Sequence, residues 1–95
     1  MYEAQRIDNC TTQEDLEILG TVYWVHFDVE AYENGKTTSN VDNVILENIE
    51  THEKHKVKSD DFLHESIQEF ILIDCKDNEN FKERVYDAFR AAREE

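Results

Sequence analysis

Glu50-x-His52-Glu53-x-His55 is the densest set of metal-type ligands in the chain. Two imidazoles three residues apart, with carboxylates beside them, are the right ligand types for zinc. The spacing is not that of the helical metalloprotease motif, which needs its histidines one full turn apart. A third protein ligand such as His64 would have to arrive from elsewhere, so the segment reads as a solvated polar turn and no metal is expected. Cys75 with a distant histidine would make a nucleophile pair. Its neighbours Asp74, Lys76 and Asp77 carry no catalytic signature, and a cysteine ending an apolar run is most often buried. Asp28 and Glu30 fall on one strand face, close enough for each to raise the other's pKa towards general acid work. An exposed acidic face without catalysis is the simpler reading. Gly20 and Gly35 stand alone, which excludes a glycine-rich phosphate loop. No catalytic residue and no cofactor are expected, and the chain is read as non-enzymatic.

The same face of that strand carries Trp24 and Tyr32. Aromatics set among carboxylates suit protein recognition, because Trp and Tyr dominate interface hot spots. The competing reading has Trp24 covered by the N-terminal segment or another layer. The residues expected to contact a partner are Trp24, Asp28, Glu30, Tyr32, Glu33, Asp42, Glu47 and Glu50.

Charge names the kind of partner. Residues 1–53 hold 12 Asp/Glu against Arg6 and Lys36, and residues 54–95 hold 11 against 8 Lys/Arg, giving -10 and -3 of the total -13. Such a field repels nucleic acid and anionic membrane and attracts basic protein surfaces. Lys54, Lys56 and Lys58 alternate, but three lysines in an acidic chain make a poor nucleic-acid site. They suit ion pairing or the guarding of an edge strand. Direct nucleic-acid binding and membrane binding are not expected.

The elements that position these residues follow from periodicity. With 95 residues, 39% hydrophobic and no proline, the chain reads as one acidic domain over 1–95, its first dozen residues a loose end. Thr11 with Glu14 fits a capping box for a short helical turn. Thr21 to Tyr32 alternates as a strand, with Tyr23, Val25, Phe27, Val29 and Ala31 on the core face. Asn34-Gly35 signals a hairpin, because both positions tolerate positive φ. The return strand runs from Thr37 towards Ile49, and the break in alternation near Asp42-Asn43 marks either a bulge or a late start of the strand. Lys56-Val57-Lys58 suits a short third strand. Ser59 offers a helix cap ahead of Leu63, Ile67, Phe70 and Ile71, although Phe70-Ile71-Leu72-Ile73 also suits a strand. Asn80 and Glu83 suit a second cap, followed by the stripe Phe81, Val85, Ala88, Phe89 and Ala92. The fold class is α+β: an antiparallel two- or three-stranded sheet followed by two helices packed on one sheet face.

The start of the chain has no apolar core of a signal peptide, and the longest apolar run is Phe70–Ile73, so a cytoplasmic location is expected and Cys10 and Cys75 are free thiols. In size and charge the chain is similar to small phage-encoded inhibitors of host defence, including anti-CRISPR and anti-restriction proteins. Several of these mimic DNA with spaced carboxylates. The resemblance implies a binder that blocks a basic, nucleic-acid-binding surface of a partner protein. Two alternatives are an immunity protein or antitoxin that neutralises a basic nuclease, and a small metal-binding module at His52/His55.

Overall fold

The computed structural model describes residues 3–94. In chain order the elements are β1 (Gln5–Thr11), β2 (Leu16–Ile18), β3 (Thr21–Ala31), β4 (Thr37–Asn48), β5 (Lys54–Lys56), α1 (Phe62–Asp77) and α2 (Glu79–Glu94). The class is α+β, with an antiparallel sheet of five strands followed by two helices. β3 is central, and its alternation is the reason. Val25, Phe27, Val29 and Ala31 are all buried on one face. β4 pairs along one edge of β3, and β5 adds to β4. β1 and β2 follow one another along the other edge of β3.

Both helices pack on the face lined by Val25, Phe27 and Val29, α1 over β4 and α2 over β1. Ile67, Ile71 and Cys75 enter the core from α1, and Phe81 and Val85 from α2. Each fully buried aliphatic or aromatic side chain here contributes roughly 1.5–3 kcal/mol. The apolar run at 70–73 is helical, and its position inside α1 explains its length: Ile71 is buried while Ile73 looks outward.

Several local expectations are corrected. Residues 5–11, read as part of a loose end, form β1, and Thr11–Asp15 is no helical turn. Its apolar content was too thin for a helix, and the Thr12 hydroxyl donates to the Glu14 carbonyl at 2.8 Å instead of capping one. The third strand of the hairpin sheet lies at Lys54–Lys56, two residues before the expected place. The cap of α1 is Asp61, whose carboxylate accepts from the Leu63 N–H at 2.9 Å, not Ser59. The cap of α2 is Asn78, accepting from the Phe81 N–H at 3.1 Å, not Asn80. Ala92, assigned to the buried stripe of α2, is exposed.

The β3–β4 turn is a hairpin at the expected place with a different mechanism. Only Gly35 takes positive φ, at +87°, so the Cβ-free residue alone absorbs the left-handed conformation. Asn34 uses its side chain instead, accepting from the Lys36 N–H at 2.9 Å. The break at Asp42-Asn43 is a β-bulge, with Asn43 at φ +52°. A second bulge lies opposite it on β1, with Asn9 at φ +56°. Asparagine tolerates this conformation better than other side-chain-bearing residues.

Candidate interaction face

The face of the sheet opposite the helices is built from the out-pointing residues of β1, β3, β4 and β5. Two networks organise it. The first centres on Asp28, which the two bulges bracket from either side. Its carboxylate accepts from the Asn9 N–H at 2.8 Å, the Asn43 side-chain amide at 2.6 Å and Arg6 Nη2 at 3.1 Å. Its side chain is only 12% exposed. Asp42 lies directly across from Asp28 in the β3–β4 register, a like-charge pair that would repel. Arg6 removes the conflict. Its guanidinium reaches from β1 over β3 to Asp42 at 3.2 Å and also holds Asp8 at 2.8 Å. Burial pushes the Asp28 pKa up, but the Asn43 amide, the Asn9 N–H and Arg6 together bring it below the ordinary carboxylate value.

The second network centres on Glu47. His52 Nδ1 lies 3.0 Å from one of its oxygens and His26 Nε2 2.9 Å from the other. His26 Nδ1 in turn lies 2.8 Å from the Thr11 hydroxyl. The Glu47 side chain is 13% exposed, and the hydrogen bonds from His52 and then His26 hold its pKa below the ordinary value. The His52 ring also sits 5.8 Å from that of Trp24.

The remaining expected contact residues are placed as follows. Trp24 and Tyr32 are both exposed, each at 38%, towards opposite ends of β3. The eight residue steps from one to the other span about 27 Å of extended chain. Glu30 accepts from the Asn40 amide at 3.2 Å. Glu33 pairs with Arg93 of α2. Glu50 is exposed in the β4–β5 turn. The sheet therefore gathers Trp24, Asp28, Glu30, Asp42 and Glu47 on one face, with Tyr32, Glu33 and Glu50 at its two ends. Asp28 and Glu47 are occupied by internal partners. Sequence reasoning missed Arg6, His26 and Leu19, the last fully exposed at the β2–β3 turn.

Among the described residues no three of His, Cys, Asp and Glu are grouped to hold a metal. His52 faces Glu47, while His55 lies on β5 opposite Leu46, so the two histidines are not brought together. No helix is long and apolar enough to cross a membrane among the described residues. Both cysteines are buried. Burial pushes the Cys10 thiol up to about 11 and the Cys75 thiol up to about 12. Both thiols should therefore resist a thiol-specific reagent at pH 8 in the folded protein and react promptly once it is denatured, because the thiolate is the nucleophile. A folded-state pKa above the unfolded one means that this contribution to stability is intact below about pH 8.5 and is lost as pH rises through 11–12. Fast labelling of one thiol per native chain would show that a cysteine is accessible after all.

A scan against protein-family models, a search of curated proteins and a search of solved structures each found no match.

Proposed function

We propose that this chain is a non-enzymatic inhibitor, in the manner of a DNA mimic, that occupies a basic, nucleic-acid-binding surface of a partner protein. One observation carries the reading. The helices cover a single face of the sheet, and the other face presents Trp24, with Tyr32 about 27 Å along at its end and the carboxylates of Glu30 and Asp42 between them. Exposed aromatics supply the desolvated anchors of an interface, and surrounding acids supply steering and partner choice. The chemistry of the other groups favours binding over catalysis. The thiols are held protonated by burial, and Asp28 and Glu47 are shifted away from the range a general acid needs.

The test begins with the immobilised chain, lysate of the native host at low salt, and mass-spectrometric identification of what is retained. Binding of the purified partner should weaken steeply as salt rises, and duplex DNA should compete with the chain for it. Trp24→Ala and Tyr32→Ala should each cost about 2 kcal/mol of binding with the circular dichroism spectrum unchanged. A partner that holds on equally at high salt, or that DNA fails to displace, would overturn the reading.

A further inference from the structure

The β2–β3 hairpin turns on Leu19 and Gly20, with Ile18 paired to Thr21. Both turn residues have positive φ, +49° at Leu19 and +84° at Gly20. A turn of this type selects Asn-Gly or Gly-Gly, because a branched apolar side chain gains nothing there and its Cβ crowds the backbone. Elsewhere in this chain the positive-φ bulge positions carry asparagine, at Asn9 and Asn43. Leu19 is the reverse case: it sits in a conformation that disfavours it, and it is fully exposed, so burial returns nothing to the fold.

Its surroundings add a second observation. The β4–β5 turn lies against the same end of the sheet, since the Ile49 N–H donates to the Val22 carbonyl at 3.3 Å. His52 of that turn contacts Trp24. Glu17 lies opposite Val22 in the β2–β3 register, and Glu50 and Glu53 are exposed on the turn. Lys54 also lies at this end of the β4–β5 pair, opposite Glu47. Leu19 is thus an apolar tip at the end of the sheet that also carries Trp24, Glu17, Glu50 and Glu53.

We propose that Leu19 is a further anchor of the interface, inserting into an apolar pocket of the partner protein that is rimmed by arginine or lysine. This rests on the reading of the chain as a binder of basic surfaces and adds the place and the chemistry of the anchor. Charge complementarity selects the rim, and a leucine held exposed in a left-handed turn conformation selects the pocket.

The test uses Leu19→Asn and two synthetic peptides. One is an amphipathic peptide of Arg and Leu alone, presenting apolar surface bordered by guanidinium groups. The other has the same length and charge but carries Ser in place of Leu. Amide shifts of the labelled full chain report the contact. The Arg/Leu peptide should perturb Leu19, Gly20 and the Trp24 indole, and Leu19→Asn should weaken it about tenfold. The same variant should melt higher by roughly 4 °C or more, because asparagine suits the turn. Two results overturn the proposal while leaving the binder reading in place: equal affinity for both peptides, or Leu19→Asn that binds as wild type does. If neither peptide binds, the reading of a basic-surface binder falls with it.

Discussion

Replacing Asp28 by alanine should lower the stability of this domain by about 3 kcal/mol, and its Tm by more than about 10 °C. The variant removes the acceptor shared by the Asn9 N–H, the Asn43 amide and Arg6. The Asn9 N–H sits at a bulge, where no strand partner takes over. Arg6 also loses its central carboxylate and keeps only Asp8 and Asp42. Asp28→Asn should fall between the two, since one oxygen remains an acceptor. The effect has a pH signature. The folded-state pKa of Asp28 lies below its ordinary value, so its contribution is present above about pH 4 and fades as pH falls through the lowered value. The stability difference between wild type and Asp28→Ala, measured by denaturant unfolding, should therefore shrink as the pH is taken from 5 towards 2. A constant difference would mean that packing, not the charge, is what the substitution removes. It also follows that Asp28→Lys is a poor probe of docking, because lost binding would report a damaged sheet. Glu30→Lys and Glu50→Lys are the better charge reversals.

The second large effect concerns Asp74, near the end of α1. Its carboxylate accepts from the Gln13 N–H at 3.0 Å, the Glu14 N–H at 3.0 Å and the Asn78 side-chain amide at 3.1 Å. Asn78 in turn caps α2 through the Phe81 N–H. One buried side chain thus ties the break between β1 and β2 to the junction of the two helices. Asp74→Ala should cost about 2–3 kcal/mol, since it strands the buried Asn78 amide and two part-buried N–H groups. Asp74→Asn should cost nearly as much, because its amide would face the amide of Asn78. Adding Asn78→Asp to Asp74→Asn should recover a good part of the loss. The new carboxylate can accept from the new amide and still cap α2, a position where an acid also suits the helix dipole. Thermal unfolding of the two single variants and the pair checks this; an additive loss in the pair would refute a direct hydrogen bond between the two side chains.

What was legible in the sequence was whatever periodicity carries. β3, its hairpin with β4, the Asp42-Asn43 bulge and the apolar stripes of both helices could be read from spacing. β1 could not. Its buried residues Ile7 and Cys10 are three apart because a bulge falls between them, so the alternation that marks a strand is missing. β2 has only three residues, too few to show a period. The helix caps slipped by two residues because several polar side chains compete at each start, and only geometry picks one. The face that carries Asp28 and Trp24 was legible from alternation. The occupation of Asp28 was not, since Arg6 meets it only through the β1–β3 register, 22 residues away. Leu19 was overlooked because an isolated leucine in sequence looks like any other core residue until its backbone angle and exposure are known.

The guanidinium of Arg84 in α2 donates to the carbonyls of Asp8 and Asn9 in β1, joining positions 75 and 76 residues apart. During synthesis that joint cannot form until α2 has been made. At about 5–20 residues per second, β1 waits roughly 4–15 s for the helix that covers it. Through that interval the apolar side of Ile7 and Cys10 is open, and the bulge carbonyls have only water as partners. The nascent chain is adhesive here until α2 has been made and docked. Its yield in a cell should accordingly depend on translation speed and chaperone supply as well as on the stability of the finished fold.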